Sequence, residues 1–438
     1  MIVPTANQHL RMGCAVVAAL MSLAVVAGCG RSADTSGTSG GEPAAQAIDD
    51  SPATGEIQVW AFGSEGEALE TIAADFEVEN PDADVVITPV PNDELPRKVD
   101  AALATGNVPD IVQPSTALPT YVATGGLAEV PDGVMDPAGF FPAAVDAGAV
   151  DGVQYAVPWY VTVQALYFRT DLVEAAGVEP PEAWEDMAAF SQAVGSEGAE
   201  FGYAAPFDPS GSWNLILPLI YQHGGAVVDD GEFRLDTAEV VEALTTYQDL
   251  FTSGAASTEW APTQLGETES AVADGRIGSY TSGSFAYGFL KQTAEAAGFD
   301  PALIGIAPLP GGPAGNSSYL GGSGLSVFEE APNADGAWKF IRYLTQPEVQ
   351  AAFFEAAGVL PAATAAWDES PLTADPQLDV FRSSLEIALA PPTITTWLEV
   401  RTMMSEIGEQ LARGAISPED AAAQLQQQAE SIGTGQTS

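Results

Sequence analysis

Residues 56–112 read EIQVWAFGSEGEALETIAADFEVENPDADVVITPVPNDELPRKVDAALATGNVPDIV. Short segments in which every second residue is apolar alternate here with longer segments in which apolar residues recur every three or four positions. Glu56–Trp60 alternates polar and apolar residues, as a half-buried strand does. Apolar residues then recur every three or four positions, which predicts a helix, until Asn80-Pro81 ends the pattern. The same alternation continues with a strand at Val85–Thr88, a helix at Leu95–Leu103 and a strand at Pro109–Val112. Strands that alternate with helices predict an α/β fold with a parallel sheet.

The loops that follow the first and third of these strands carry polar side chains. Ligands of open α/β sheets bind at the carboxyl ends of the strands. Residues 62–65 and 113–116 are therefore predicted to share one rim of the sheet. The polar candidates on this rim are Ser64, Glu65, Gln113 and Ser115.

The first 29 residues have the pattern of an export signal. Arg11 precedes an apolar run over residues 12–27, and the small residue Gly28 leads into Cys29. The run is shorter than the roughly 20 residues of a membrane-spanning helix, which argues against the alternative of a transmembrane anchor. A cysteine at this place resembles the cleavage box of bacterial lipoproteins, which implies that Cys29 becomes the lipidated first residue. Residues 1–28 are thus predicted as a signal peptide and residues 29–55 as a flexible tether.

The chain of 438 residues is strongly acidic. It has 60 Asp and Glu against 13 Lys and Arg, for a net charge of −47. Such a charge argues against nucleic acid as a partner, and an anionic ligand would need a local basic cluster that the sequence does not show. A hydrophobic content of 46% excludes a disordered chain, and the length predicts two lobes.

The residues that most enzymes and metal sites require are scarce. The cysteines are Cys14 and Cys29 and the histidines His9 and His223, so the predicted mature chain keeps one of each. This excludes an internal disulfide and argues against a zinc site. His223 precedes two glycines and is predicted to end a helix. No phosphate-binding loop or dinucleotide fingerprint occurs. We therefore predict no metal, no cofactor and no catalysis, although a pair of carboxylates could still form a glycosidase.

The order of several short motifs resembles that of the family 1 extracellular solute-binding proteins of ABC sugar importers, the maltose-binding protein type. The resemblance runs from about Glu56 to about Glu430. The motifs that carry it are Val59-Trp60, Pro109–Val112, Tyr155–Pro158, Leu166–Leu172, Pro308–Gly312, Gly321–Leu325 and Ala337–Phe340. The resemblance implies a fold of the periplasmic-binding-protein type II kind, in which two α/β lobes are joined by a hinge that the chain crosses three times and the ligand cleft lies between the lobes.

Motif matching places the three crossings near Val161–Gln164, Leu303–Ile304 and Pro347–Ala351. The predicted lobe 1 then comprises residues 56–162 and 304–347, and the predicted lobe 2 comprises residues 163–303 and 348–438.

The resemblance also implies a function. The protein is expected to capture a carbohydrate, a di- or oligosaccharide, and to deliver it to the permease of an ABC transporter. It is expected to be a monomer on the extracytoplasmic face of the bacterial cell membrane, anchored through Cys29. The alternatives are a cell-surface glycosidase and a receptor for a solute other than a sugar.

Matching positions supply the remaining candidates for ligand binding, because aromatic rings pack on the C–H faces of a sugar and polar groups bond its hydroxyls. Trp397 and Phe285 match stacking positions of the family, and the alternative for Trp397 is a core residue on a helix face. Trp159 and Tyr160 lie at the expected hinge, where core packing is equally compatible with the pattern. The other candidates are Trp213, Asn214, Gly283, Gly322 and Ser323.

Overall fold

The computed structural model describes residues 47–92, 94–209, 211–262 and 266–435. The predicted signal peptide, Cys29 and most of the predicted tether lie outside the described residues. The strands are β1 (Thr54–Phe62), β2 (Asp82–Val90), β3 (Ile111–Val112), β4 (Ala149–Val150), β5 (Val153–Gln154), β6 (Val157–Thr162), β7 (Gln164–Arg169), β8 (Val228–Asp229), β9 (Glu232–Phe233), β10 (Ser279–Gly283), β11 (Ile304–Ala307), β12 (Gly321–Val327) and β13 (Leu360–Pro361).

The helices lie between and after these strands. They are α1 (Gly63–Glu79), α2 (Leu95–Thr105), α3 (Leu118–Ala123), α4 (Pro142–Ala147), α5 (Thr170–Ala176), α6 (Met187–Ser196), α7 (Trp213–Gln222), α8 (Ala238–Thr252), α9 (Glu267–Ala273), α10 (Ala286–Ala297), α11 (Ala334–Leu344), α12 (Pro347–Ala357), α13 (Leu378–Glu386), α14 (Trp397–Ala412) and α15 (Pro418–Ile432). The predicted order of strand and helix over residues 56–112 is confirmed.

Lobe 1 is built on a six-stranded sheet with the order β13-β6-β12-β3-β1-β2. Strand β1 pairs in parallel with β2 and with β3, as the alternation predicted. The rest of the sheet departs from the prediction, because β12 is antiparallel to both β3 and β6, and β13 is antiparallel to β6. These strands come from later chain segments that enter the sheet from its opposite end, so the sheet is mixed.

Both faces of this sheet are covered by helices. Ile57 and Val59 of β1 pack in one apolar cluster with residues of α1, α11 and α12. Trp60 and Phe62 point to the other face and pack against a cluster formed by residues of α2 and α3. Successive side chains of a strand point to opposite faces, so the alternation in β1 supplies two cores at once. Its carboxyl end is thereby fixed at the rim of the lobe.

Lobe 2 is built on a three-stranded sheet with the order β10-β7-β11, in which both pairs are antiparallel. Leu166 and Phe168 of β7 belong to a cluster with α7, α8, α14 and α15. Ala165 and Tyr167 belong to a second cluster with α9, α10 and α13. The strand that follows the hinge is therefore buried on both faces, and α14 is held against the same core as α7.

Sheet membership shows where the chain passes from one lobe to the other. The first passage is at Val163, between β6 and β7. The second differs from the predicted position, because β11 still pairs with β7 and the chain rejoins the large sheet only with β12. The third is also displaced, since β13 still pairs with β6. The sequence predicted the strand at Ile304, which is β11, but it did not reveal which sheet this strand joins.

One acidic side chain lies inside lobe 2. Glu269 of α9 is 6% exposed, and the Tyr280 hydroxyl donates to its Oε1 over 3.4 Å. Burial raises the pKa of Glu269. A carboxyl group whose pKa is higher in the folded than in the unfolded chain stabilises the fold at low pH, and this contribution is lost as the pH rises through the folded-state pKa.

We therefore expect Glu269→Gln to raise the melting temperature at pH 7. The amide is neutral and keeps an oxygen that can accept from Tyr280. The difference from the native protein should vanish below the pKa of an unfolded glutamate, and melting curves between pH 4 and pH 8 measure it. Glu295→Gln on the exposed face of α10 is the control and should leave the melting temperature unchanged. A lower stability of Glu269→Gln at pH 7 would contradict the argument.

Candidate functional site

A cleft lies between the two lobes, with a cavity volume of ≈ 260 Å³. It is lined from lobe 1 by the loop after β3, by β6 and by β12, and from lobe 2 by the start of α7, by Tyr319 and by α14. Its polar and aromatic lining residues are Ser115, Thr116, Tyr160, Thr162, Trp213, Tyr319, Ser323, Thr393, Trp397 and Arg401. The cavity is slightly smaller than the roughly 300–1,000 Å³ of most ligand pockets. Six predicted site residues line the cleft, namely Ser115, Tyr160, Trp213, Gly322, Ser323 and Trp397.

The lobe 1 side of the cleft is organised around Tyr160. Its hydroxyl donates to Glu65 Oε1 and accepts from Gln113 Nε2, both over 3.1 Å. Gln113 Oε1 in turn accepts from the backbone N–H of Phe62 over 2.9 Å, which joins the loops after β1 and β3 as the rim prediction required. Burial first, and the Glu65 carboxylate second, raise the pKa of Tyr160 well above its usual value. Tyr160 therefore stays a neutral phenol with a fixed orientation.

Ser64, Glu65 and Gln113 support this wall from behind. None of them is among the residues that line the cavity. The Ser64 hydroxyl donates to the second oxygen of Glu65 over 2.9 Å, so both oxygens of this carboxylate already accept a hydrogen bond. These residues orient Tyr160 in the structure, and their direct contact with a ligand stays a prediction.

Three aromatic rings form the wall on lobe 2. The Trp213 and Trp397 rings meet edge to face, with centroids 6.0 Å apart at 89°. The Tyr319 ring lies 5.0 Å from Trp213 at 39°. The Tyr319 hydroxyl donates to Asn214 Oδ1 over 2.6 Å and accepts from Gln164 Nε2 over 3.1 Å. Asn214 thus positions Tyr319 and lies behind the wall.

Trp397 combines the two roles that the sequence left open. It is 2% exposed and belongs to the lobe 2 core, yet it also borders the cleft. Its indole Nε1–H is buried and has no hydrogen-bond partner among the described residues. A buried donor without a partner is costly and rare in native structures. Replacement by alanine would remove a core side chain, so a smaller change such as Trp397→Phe is needed to probe ligand contact.

Arg401 lies one helical turn after Trp397 on the same face of α14. Its Cζ is 5.2 Å from the centroid of the Trp213 ring, a cation–π distance. The side chain is half-buried and lines the cleft. Burial lowers the pKa of its guanidinium below the usual value, but arginine remains charged in proteins.

The backbone of β12 borders the cleft where Gly322 and Gly324 allow it to approach β6 closely. Gly322 has φ +107°, and a Cβ there would lie 2.3 Å from the carbonyl oxygen of Tyr160. The register shifts between Ser323 and Gly324, which is the mark of a β-bulge. Peptide groups at this bulge are therefore placed at the cavity wall, and only glycine fits at position 322.

Other candidates lie away from the cavity wall. Trp159 is 2% exposed and stacks on Phe353 at 4.6 Å, so core packing accounts for it. Gly283 accepts a hydrogen bond from the Tyr167 hydroxyl through its carbonyl group. Phe285 is 51% exposed and folds over Gly283, and neither residue lines the cleft. The structure therefore does not place the Phe285 ring at the cavity wall, and its stacking on a ligand stays a prediction.

Sequence reasoning missed five of the polar and aromatic lining side chains, namely Thr116, Thr162, Tyr319, Thr393 and Arg401. Tyr319 comes from the segment between β11 and β12, where no local pattern marks it. Arg401 had a signal, because it follows Trp397 by four residues and so shares its helix face. His223 is where the sequence predicted it, at the end of α7, and its ring contacts the Leu219 carbonyl and the Thr246 hydroxyl.

Two searches of the described residues bear on other kinds of site. No group of three or more His, Cys, Asp or Glu is arranged to hold a metal ion. Within the same residues, no helix combines the length and the apolar character that crossing a bilayer requires.

Two α/β lobes with a cleft between them define a class of two-lobed binding proteins. The sequence profile described as bacterial extracellular solute-binding protein matches residues 71–380, so the chain belongs to this family. The family that the order of motifs predicted is confirmed.

Two solved structures have a similar fold, and a further relative is similar in sequence over most of its length. The sugar-binding protein MalE from Xanthomonas citri is 29% identical, with a TM-score of 0.79 over 86% of this chain and 97% of MalE. The GacH receptor of Streptomyces glaucescens, solved unliganded and with acarbose, is 25% identical, with a TM-score of 0.75 over 88% of this chain and 100% of GacH. The diacetylchitobiose binding protein DasA of Streptomyces coelicolor is 26% identical over 92% of this chain and 93% of DasA.

Proposed function

We propose that this protein binds a carbohydrate in the cleft between its lobes and delivers it to the permease of an ABC transporter. The observation that carries the proposal is the aromatic wall of Trp213, Tyr319 and Trp397 opposite a wall of hydroxyl and peptide groups. Aromatic rings pack on the apolar C–H faces of a pyranose, and hydroxyl and peptide groups bond its rim. The similarity to the sugar-binding protein MalE, to the acarbose complex of GacH and to the diacetylchitobiose binding protein DasA supports the same class of ligand.

The same cleft supports binding rather than hydrolysis. Canonical hydrolysis of a glycosidic bond uses two carboxyl groups that flank the bond. No described Asp or Glu lines the cavity, and both oxygens of Glu65 are occupied by Tyr160 and Ser64. We therefore favour a receptor over a glycosidase.

A thermal-shift screen of the purified mature protein against mono-, di- and trisaccharides tests this function. A ligand present at 100 times its Kd should add about 2.7 kcal/mol to the free energy of unfolding. A labelled oligosaccharide that gives a shift should then be recovered intact after incubation. The absence of a shift with every sugar would contradict the proposal, and recovery of fragments would identify a hydrolase instead.

We further propose that ligand binding closes the two lobes. The cavity takes its polar wall from lobe 1 and its aromatic wall from lobe 2, so one ligand can contact both only when the lobes are close. The Thr120 hydroxyl already donates to the Thr395 carbonyl oxygen across the cleft, over 3.4 Å. A ligand with contacts that exist only in the closed form shifts the population towards that form.

Small-angle scattering should therefore show a smaller radius of gyration when a ligand that stabilises the protein is added. The Trp213→Ala variant serves as the control at a ligand concentration of about three times the native Kd, where a 30-fold weaker site is mostly empty and the variant should contract much less than the native protein. An unchanged radius for the native protein at saturation would indicate a rigid binder and would contradict closure.

The predicted export signal adds a location to this function. We propose that the mature protein is a monomer held at the extracytoplasmic face of the membrane by lipid on Cys29. Cys29→Ala should abolish incorporation of labelled fatty acid, and it should either release the body of the protein or leave the uncut precursor in the membrane. Normal acylation of that variant, measured in membrane and soluble fractions, would disprove the anchor.

A further inference from the structure

The end of helix α15 lies beside the start of α14, at the edge of the cleft. The two helices have nearly equal lengths, 16 and 15 residues, and pack in the same core of lobe 2. A short turn joins them, so the chain returns to the start of α14 when α15 ends. Gly433, with φ +77°, ends α15, and residues 433–435 then contact Thr395 and Thr396. We call residues 433–435 the strap.

The strap is held by the loop that precedes α14. The Thr396 hydroxyl donates to the carbonyl oxygen of Gly433 over 2.6 Å, and the Thr395 hydroxyl donates to the carbonyl oxygen of Thr434 over 3.5 Å. Gly435 has φ +69°, and a Cβ there would collide with the Thr395 hydroxyl. The strap thus lies directly on the loop, and only glycine fits at its last position.

Thr396 directs its hydroxyl to the strap and not to its own helix. It occupies the N-cap position of α14, where a threonine oxygen commonly accepts a hydrogen bond from a backbone N–H of the first turn. Thr396 makes no such bond. The conformation of this loop therefore depends on a contact with residues 433–435, and not on helix capping alone.

The same loop meets lobe 1 across the cleft. The hydroxyl of Thr120, on α3, donates to the carbonyl oxygen of Thr395 over 3.4 Å. Leu118 of α3 and Thr393 of the loop line the cavity, so this bond lies next to the ligand site. A single hydrogen bond between neutral groups contributes little, and it favours closure only if the loop need not be ordered at the same time. The strap supplies that order in advance.

We propose that the strap holds the Thr395 carbonyl oxygen in place for Thr120, and thereby stabilises the closed form and increases the affinity for the ligand. Residues 433–435 do not line the cavity, so they act through Thr395 and not by contact with the ligand. The apparent affinity of a binding site falls with the fraction of molecules in the competent form. This inference rests on the proposed closure of the lobes over a carbohydrate and identifies a segment that controls it.

Calorimetric titration of the best sugar from the screen tests the inference. Thr120→Val removes the donor of the bond across the cleft, and Thr396→Val removes the donor that holds the strap. Each variant should bind the sugar about three- to ten-fold more weakly, the scale of one hydrogen bond between neutral groups. Gly435→Ala displaces the strap by a different route and should reproduce the loss of Thr396→Val. Melting curves of the free variants show whether each one is folded.

A double variant distinguishes this mechanism from two unrelated losses. If the strap acts through the bond of Thr120, the combination of Thr120→Val with Gly435→Ala should bind little more weakly than the weaker single variant. Thr402→Val is the matched control, because that hydroxyl is on the exposed side of α14 and donates to the Leu398 carbonyl oxygen of the same helix. It should bind as the native protein does.

Scattering of the sugar-free proteins gives a second measurement that does not depend on the ligand. Thr120→Val and Gly435→Ala should both have a larger mean radius of gyration than the native protein and Thr402→Val. Native affinity and native radius in Gly435→Ala, or fully additive losses in the double variant, would overturn the inference. Sugar binding with contraction in all of these variants would leave the proposed function intact. If no sugar binds, the proposed function fails, and the radii of the sugar-free variants still decide the role of the strap.

Discussion

Trp213→Ala is expected to weaken ligand binding by about 30-fold or more, the equivalent of about 2 kcal/mol for a lost aromatic anchor. The Trp213 ring is the centre of the lobe 2 wall, because it contacts the rings of Tyr319 and Trp397 and lies under the guanidinium of Arg401. The side chain is half-buried, so its removal should cost less folding stability than removal of the buried Trp397 would. Titration of the best ligand from the sugar screen measures the loss.

Phe285→Ala is the control for this prediction. The family resemblance predicts that Phe285 stacks on the ligand, whereas the structure leaves its ring half-exposed and outside the cavity lining. We expect this variant to bind with nearly native affinity. If Phe285→Ala loses as much affinity as Trp213→Ala, the binding site extends beyond the cleft described above. If Trp213→Ala binds normally while melting sharply lower, Trp213 serves the core alone.

Asp110→Ala is expected to lower the free energy of unfolding by about 3 kcal/mol, because two partly buried backbone N–H groups lose the same carboxylate acceptor. Asp110 is 1% exposed. One of its carboxylate oxygens accepts from the backbone N–H of Gln58 over 2.7 Å, and the other accepts from the backbone N–H of Asn333. Asn333 in turn caps α11 by accepting from Gly336 over 3.1 Å. One carboxylate thus connects β1 to the start of α11.

Urea unfolding at pH 7 measures this effect. Asp84→Ala is the matched control, since Asp84 is exposed on the neighbouring strand β2 and its loss should change stability by no more than about 0.5 kcal/mol. Asp110→Asn should fall between the two, because the amide keeps one acceptor and presents a donor to the other N–H group. A loss below about 1 kcal/mol in Asp110→Ala would show that the two amide groups find other partners.

The sequence predicted local structure well where the spacing of apolar residues within one strand or helix shows which side of it is buried. The alternation in β1 and the helical spacing of Leu69, Ile72 and Phe76 in α1 each reflect which side of the element faces the core. The pairing of β11 and β13 was not predictable in this way. A buried strand shows the same apolar pattern whichever sheet it joins, so the two later crossings between the lobes were misplaced.

The same distinction applies to the candidate site, where the sequence predicted some of the lining residues but not which side chains lie behind the cavity wall. Six predicted residues line the cleft, and they lie in the loop after β3, in β6 and β12, and at the starts of α7 and α14. Gln113 and Asn214 are close in space to the cleft but act behind it, because their side chains bond Tyr160 and Tyr319. Trp159 faces the core rather than the cleft, and neighbouring positions of a strand point to opposite faces.

By itself, the sequence determined the family, the α/β order of the first lobe and an overall charge of −47, because motif order, periodicity and composition are properties of the chain. Only the tertiary structure decided the character of the cleft. Ser115, Tyr319 and Arg401 are far apart along the chain. They come together at the cleft because each lobe folds around its own core and the two lobes face each other there. Among the described residues, that meeting leaves the acidic side chains outside the cavity lining and one guanidinium, that of Arg401, within it. No local pattern encodes such an arrangement, since it depends on which surfaces of the two lobes face each other.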